Sequence, residues 1–139
     1  RAARLEGYDI SREMLRKARG KGIYDLLEKA DLQSLPAFDA LADLVVAADV
    51  FMYLGALEPI LDSVAAMQRP GGLFAFSVER HDGPGDVVLL DSRRYAHARS
   101  YLERLLVGQG YAVLSMDSHV IRMDRNAPVE GILTVAQKG

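Results

Sequence analysis

The run Asp43-Leu44-Val45-Val46-Ala47-Ala48-Asp49 decides the fold. A continuous apolar stretch bracketed by acids predicts a strand buried on both faces, which parallel sheets require. Downstream, Leu57, Ile60, Leu61, Val64 and Met67 fall on one helical face, and Pro59 is tolerated in the first turn. Pro70-Gly71-Gly72 predicts a turn that ends this helix, and Leu73–Val78 is the next buried strand. A polar loop is expected over Glu79–Asp86. Ser92 is then placed to cap a helix striped by Tyr95, Ala98, Leu102, Leu105 and Leu106, closed by Gly108 and Gly110. Tyr111–Asp117 and Ile132–Ala136 read as two further strands. The segment Arg122–Val129 is short, charged and contains Asn126-Ala127-Pro128, so it leaves no room for a helix, and the two strands should pair antiparallel.

Upstream of the deciding run, Leu5–Ile10 reads as a short strand and Ser11 as a helix N-cap. Met14, Leu15 and Ala18 then recur at helical spacing until Gly20 and Gly22. Tyr24–Ala30 reads as an outer strand, because Glu28 and Lys29 would be uncomfortable in the middle of a sheet. Leu35-Pro36 breaks the chain. The expected order, βαβ(α)βαβαββ, describes an α/β fold with a mostly parallel sheet covered by helices on both faces. The chain opens on Arg1-Ala2-Ala3-Arg4, which reads like the last turn of a helix.

Composition narrows the chemistry. The 139 residues suffice for one domain, and half are hydrophobic, which excludes a disordered chain. Seventeen basic residues against nineteen acidic ones give a net charge of −2, so bulk attraction to a polyphosphate is not expected. With no cysteine, disulfides, thiolate metal sites and thiol catalysis are excluded. Histidine and acid spacing shows no metal cluster of the usual kinds. The apolar run Leu44–Ala48 is far too short for a membrane span, no signal-type segment opens the sequence, and the expected compartment is the cytosol. Arg12, Arg16, Lys17, Arg19 and Lys21 read as the solvated face of the first helix. Arg93, Arg94, Arg99 and Arg104, expected on the later helix, are balanced by acids, so a nucleic-acid partner is not expected.

Three acids stand where strands are expected to end: Asp9, Asp31 and Asp49. Ligands of open α/β sheets bind beyond the carboxyl ends of the strands, and a carboxylate there can accept two hydrogen bonds from vicinal ribose hydroxyls. Ile10 offers an apolar face for a purine, and Asp31-Leu32 an acceptor for an exocyclic amine beside an apolar neighbour. Taken singly, each acid equally fits a strand end or a helix cap.

The run Gly7-Tyr8-Asp9-Ile10-Ser11-Arg12-Glu13-Met14-Leu15-Arg16-Lys17-Ala18-Arg19 resembles the second motif of class I S-adenosylmethionine-dependent methyltransferases. Phe38-Asp39 with Asp43–Val50 resembles the family's fourth-strand motif, and Arg69-Pro70-Gly71-Gly72-Leu73-Phe74 its fifth. Tyr95-Ala96-His97 and Val129-Glu130-Gly131 look closest to the methyltransferases that often carry tetratricopeptide repeats upstream. The resemblance implies a three-layer, Rossmann-like sheet with a C-terminal antiparallel hairpin and S-adenosylmethionine as cofactor. It implies that Asp9 and Ile10 hold ribose and adenine, Asp31 and Leu32 the adenine, and Ala48 and Asp49 the methionine portion. Tyr53 would stand near the mouth of the substrate pocket, with His81, Tyr95 and His97 as further substrate-side candidates. His119, on the hairpin, reads as structural and remote from the strand ends.

The family's Gly-rich loop and the strand before it, central between Leu5–Asp9 and Leu44–Asp49, are not among these residues. A sheet without that strand leaves unpaired backbone groups that cost about 1–3 kcal/mol each. The expectation is therefore the C-terminal portion of one methyltransferase domain, which binds cofactor poorly by itself. Its acceptor is an unidentified small molecule or protein side chain, with tetratricopeptide repeats upstream as potential neighbours in the chain and no membrane partner. Two rival readings are a non-catalytic relative that keeps the fold as a binding or assembly module, and a phosphoacceptor receiver domain. The receiver needs a Lys where this chain has Val78-Glu79-Arg80, and the terminal hairpin also counts against it.

Overall fold

The computed structural model describes residues 3–35 and 41–139. The expected helix end at Arg1-Ala2, the Pro36 half of the break and the Phe38-Asp39 part of the fourth-strand motif lie outside the described residues. The described residues form two compact units, one within Arg1–Ala37 and the other within Phe38–Gly139.

The first unit is strand, helix, strand. β1 (Glu6–Asp9) pairs in parallel with β2 (Leu26–Lys29), with Glu6 opposite Leu26 and Asp9 opposite Lys29. Between them runs α1 (Arg12–Arg19), started by Ser11, whose Oγ accepts from the Met14 N–H at 3.2 Å. Leu15 is its buried contact, whereas Met14, expected on the same stripe, is half exposed. The basic residues of the helix lie on the surface, as expected. A 3-10 turn, Leu32–Ser34, follows β2.

In the second unit, β3 (Ala42–Ala47) and β4 (Gln68–Arg80) are parallel and joined by α2 (Glu58–Met67). The α2 stripe is as expected: Leu57, Ile60, Leu61, Val64 and Met67 are all buried. Three strands stand apart from the expected outline. β4 begins earlier than Leu73, because Pro70-Gly71-Gly72 is taken up in an irregular register between Ala42–Gln68 and Leu44–Leu73. It also runs on through Glu79 and Arg80, which were expected in a loop. β5 (Val87–Leu89) and β6 (Tyr95–His97) occupy the region assigned to loop and helix start. β6 pairs with the extended end of β4, Glu79 with Ala96 and Arg80 with His97, and this pairing overrides the helical spacing of Tyr95 and Ala98. Ser92 therefore caps no helix; its Oγ accepts from the Arg94 N–H at 3.4 Å. α3 starts at Arg99 and ends at Gly108, so Arg93 and Arg94 precede it.

β7 (Tyr111–Asp124) and β8 (Ala127–Lys138) form the expected antiparallel hairpin, longer at the turn than the sequence suggests. Arg125 and Asn126, at φ of 49° and 63°, make a two-residue turn of the mirror-image type that matches strand twist. The path through this sheet is β5-β6-β4-β8-β7, and β3 pairs with β4 along the same edge as β6, opposite β8 and nearer the start of the strand. Parallel pairings (β1 with β2, β3 with β4, β4 with β6) are matched by antiparallel ones (β4 with β8, β5 with β6, β7 with β8), so the topology is mixed rather than mostly parallel.

The core of this unit is aromatic and aliphatic. Phe51, Phe74 and Phe76 pack together, with ring centroids 4.7–6.2 Å apart, and Tyr111 closes on Phe74 at 6.1 Å. α2 and α3 meet where the Tyr101 hydroxyl accepts from the buried Leu57 N–H at 2.9 Å and donates to Glu58 at 2.7 Å. The deciding run departs from expectation in its burial. Leu44 and Val46 are 58% and 62% exposed, while Val45 and Ala47 are half-buried. Among the described residues β3 has one strand neighbour and one covered face.

Candidate functional site at the strand ends

The parallel register of β1 and β2 puts Asp9 and Asp31 at the same edge of their sheet. Asp9 ends β1 opposite Lys29, the Ala30 N–H donates to the Asp9 carbonyl at 3.0 Å, and Asp31 follows directly. Each carboxylate uses Oδ1 locally. Asp9 accepts from the Ser11 N–H and Asp31 from the Gln33 N–H, both at 2.9 Å. These are the short side-chain turns that Asp makes at strand and helix boundaries. In each, Oδ2 has no partner among the described residues. Ile10, beside Asp9, is 59% exposed, and Leu32 is half-buried.

Asp49 lies just past the end of β3 with its backbone in the left-handed region, φ 54°. Its N–H donates to Ser77 Oγ of β4 at 3.2 Å, and its Oδ1 accepts from Arg122 Nη2 of β7 at 2.7 Å. Ala48 and Asp49 are exposed. The four substrate-side candidates lie in the same unit. Tyr53 is exposed, and the Tyr95 ring packs on Gly55, where a Cβ would stand 3.1 Å from its edge. His97 Nε2 lies 2.9 Å from the Gly55 carbonyl. His81 lies in the strand-end loop with Nε2 2.9 Å from the Pro84 carbonyl, and its N–H donates to the His97 carbonyl at 3.0 Å.

His97 differs from its expected setting. It closes β6 rather than opening a helix, it is fully buried, and it stacks on Tyr101 at 6.2 Å. The Gly55 carbonyl can only accept, so Nε2 carries the proton and Nδ1 is a buried lone pair with no partner among the described residues. Burial lowers its pKa below the usual value of 6.5, against the opposing pull of the Gly55 and Leu54 carbonyls and of Glu79. His119 is also differently placed. It sits opposite Gly131, which is opposite Glu79, so the hairpin register brings it level with the carboxyl end of β4.

Sequence reasoning did not single out Ser77, Glu79 or Arg122 as site residues, and placed Arg94 on the later helix, beside His97. Glu79 is 2% exposed and bonds Arg94 Nε at 3.1 Å; the same guanidinium reaches Asp124 at 3.0 Å. With Leu90, Pro128, Val129 and Glu130 these residues line a cavity of about 280 Å³ beside the end of β4. An acid directly after the apolar run Leu73–Val78 was the available signal for Glu79. No group of three or more metal-ligating side chains occurs among the described residues, and none of their helices is long and apolar enough to cross a membrane.

This α/β arrangement is that of the methyltransferases. An S-adenosylmethionine-dependent methyltransferase from Mesorhizobium loti superposes with a TM-score of 0.76 at 20% identity, covering 99% of this chain and 81% of that one. One from Methanosarcina mazei gives 0.75 at 15% identity, covering 96% and 81%. Magnesium protoporphyrin IX methyltransferase from Synechocystis, with bound SAH, gives 0.73 at 16%, covering 99% and 65%. At these identities the likeness is one of fold. The profile of the family described as "Methyltransferase domain" matches residues 1–76, more than half of the 139, and the chain belongs to that family. No curated protein matches it.

Proposed function

We propose that the chain carries the nucleoside-binding edge of an S-adenosylmethionine-dependent methyltransferase that acts on a small-molecule or protein nucleophile. The observation that carries this reading is the shared edge of Asp9 and Asp31, each with one carboxylate oxygen unpartnered among the described residues, beside the exposed side chain of Ile10. Those two carboxylate acceptors fit an adenosine, whose ribose hydroxyls and exocyclic amine are donors and whose base has apolar faces. Asp9 would hold the ribose hydroxyls and Ile10 one face of the adenine. Asp31 would accept from the adenine amine with Leu32 against the ring, while Ala48 and Asp49 would lie under the methionine portion. The bound cofactor supplies an electrophilic methyl group on a sulfonium, whose leaving group departs neutral.

The chain's own contribution is then positioning, which can supply much of the rate enhancement of a displacement. Tyr53 and Tyr95 would wall the acceptor side, His97 would fix the Gly55 segment, and His81 would brace the loop after β4.

The reading extends to the subgroup that carries tetratricopeptide repeats upstream, on Tyr95-Ala96-His97 and Val129-Glu130-Gly131, and to a cytosolic setting. It also takes the chain as the C-terminal portion of one methyltransferase domain. β1 pairs only with β2, and β3 only with β4, among the described residues, so each offers a backbone edge that a further strand would satisfy.

The test is calorimetric titration of the full-length protein with S-adenosylhomocysteine, alongside Asp9→Ala. Binding weakened at least about tenfold by the substitution supports the ribose assignment, since charge-assisted hydrogen bonds are lost. Tight binding that survives it refutes the assignment, and no binding by the unaltered protein favours a non-catalytic module.

A further inference from the structure

The hairpin does not stop where its neighbour does. Glu79 pairs with Gly131, and Gly131 with His119, one residue before β4 ends at Arg80. Beyond that level β7 runs on to Asp124 and β8 starts at Ala127, so the tip projects past the carboxyl end of β4. Two features bend it there. Ile121 is an extra residue between the pairs Val120–Glu130 and Arg122–Val129, a bulge that turns the strand. Opposite, Gly131 has no space for a side chain, since a Cβ would stand 2.5 Å from Ile121 Cγ2 and 2.8 Å from the Val78 carbonyl.

The bent tip is tied down at two points. Asp124 takes Arg94, which is already bound to Glu79. Arg122 reaches the end of β3, with Nη2 on Asp49 Oδ1 at 2.7 Å and Nη1 against the Met52 sulfur at 2.8 Å. Without Arg122 little else would hold the Asp49 side chain, which is 72% exposed on a backbone in the left-handed region. With Oδ1 taken by Arg122 and the N–H by Ser77, Oδ2 has no partner among the described residues and is left to accept.

We infer that Arg122 is a positioning residue for the cofactor's methionine end, fixing Asp49 so that Oδ2 faces the cationic ammonium and sulfonium groups. This rests on the reading of Asp49 under "Proposed function". The fork geometry matters, because two terminal nitrogens at a fixed separation each serve one partner, whereas a lysine ammonium must meet both from a single nitrogen.

The full-length protein, Arg122→Met and Arg122→Lys are compared by amide hydrogen exchange at Asp49 and Met52 and by titration with S-adenosylhomocysteine. The expected result for Arg122→Met is faster exchange at both amides and affinity lowered about tenfold, with Arg122→Lys in between. Unchanged exchange shows that Arg122 does not hold Asp49. Faster exchange with unchanged affinity makes it a structural brace only. Either result overturns the inference. If Arg122→Met does not fold, Arg122→Lys decides, and affinity equal to the unaltered protein's overturns it. Absence of binding by the unaltered protein brings down the cofactor reading of Asp49 itself and this inference with it, whereas binding that ignores Arg122 brings down this inference alone.

Discussion

The imidazole of His97 and the main chain of Gly55 are joined at 2.9 Å, and that bond fixes which ring nitrogen carries the proton. The same ring stacks on Tyr101, whose hydroxyl satisfies the Leu57 N–H, so one buried cluster ties β6 and α3 to the segment before α2.

This cluster makes stability depend on pH. Burial lowers the His97 pKa in the folded state below its usual 6.5, so the unfolded chain binds the proton more readily. Stability is therefore fully present above about 6.5 and is lost as pH falls below that value toward the folded pKa. Urea denaturation at pH 7.5, 6.5 and 5.5 should show the decline, and His97→Gln, which keeps an amide donor for Gly55, should flatten it. An equal slope in the variant would assign the dependence to other groups.

A second expectation concerns the buried carboxylate of Glu79. Arg94→Met leaves it without a counter-charge and should cost about 3 kcal/mol. Asp124, at the other end of the guanidinium, is 41% exposed. Its change to Asn should cost under about 1 kcal/mol, as exposed ion pairs do. Chemical denaturation of both variants checks the contrast, and equal losses contradict it.

The bend of the hairpin gives a third. Gly131→Ala forces a methyl against Ile121 and the Val78 carbonyl and should destabilise by about 2 kcal/mol. Adding Ile121→Ala removes one of the two clashes, so the double variant should regain part of the loss. A cycle showing no coupling between these positions means that the close approach is not what limits residue 131.

A fourth lies at the hairpin turn. Arg125 and Asn126 both adopt positive φ, and a side chain such as arginine's carries a penalty there. Replacing the pair with Asn-Gly should stabilise by about 1 kcal/mol. A thermal melt reads this directly; a lower Tm contradicts the turn geometry.

Much of the fold was legible where one physical signal dominated. The α2 stripe from Leu57 to Met67 and the apolar run Leu73–Val78 gave their elements unambiguously. The signal failed where tertiary pairing outweighs local pattern. Tyr95-Ala96-His97 continues the helical spacing of α3, yet its backbone is claimed by Glu79 and Arg80 on one side and Val87–Leu89 on the other. The hairpin was read too short because Ser118, His119 and Arg122 look like loop residues, although an edge strand with a solvent face accepts them. Arg125-Asn126 hid the turn because neither residue is the glycine that usually marks it. In the candidate site, the acids could be found because strand ends are visible in sequence. Arg122 could not, because its partnership with Asp49 spans 73 residues and depends on a bulge that no local pattern announces.

The sheet order also constrains how the protein is made. β8 lies between β4 and β7, and β7 meets the rest of the sheet only through it. During translation, therefore, a fourteen-residue strand emerges from the ribosome with no native strand partner until its successor has been synthesised. Rapid closure of the tight Arg125-Asn126 turn shortens that exposure, so a slow-closing loop there should increase the demand for chaperones before it measurably affects the finished protein.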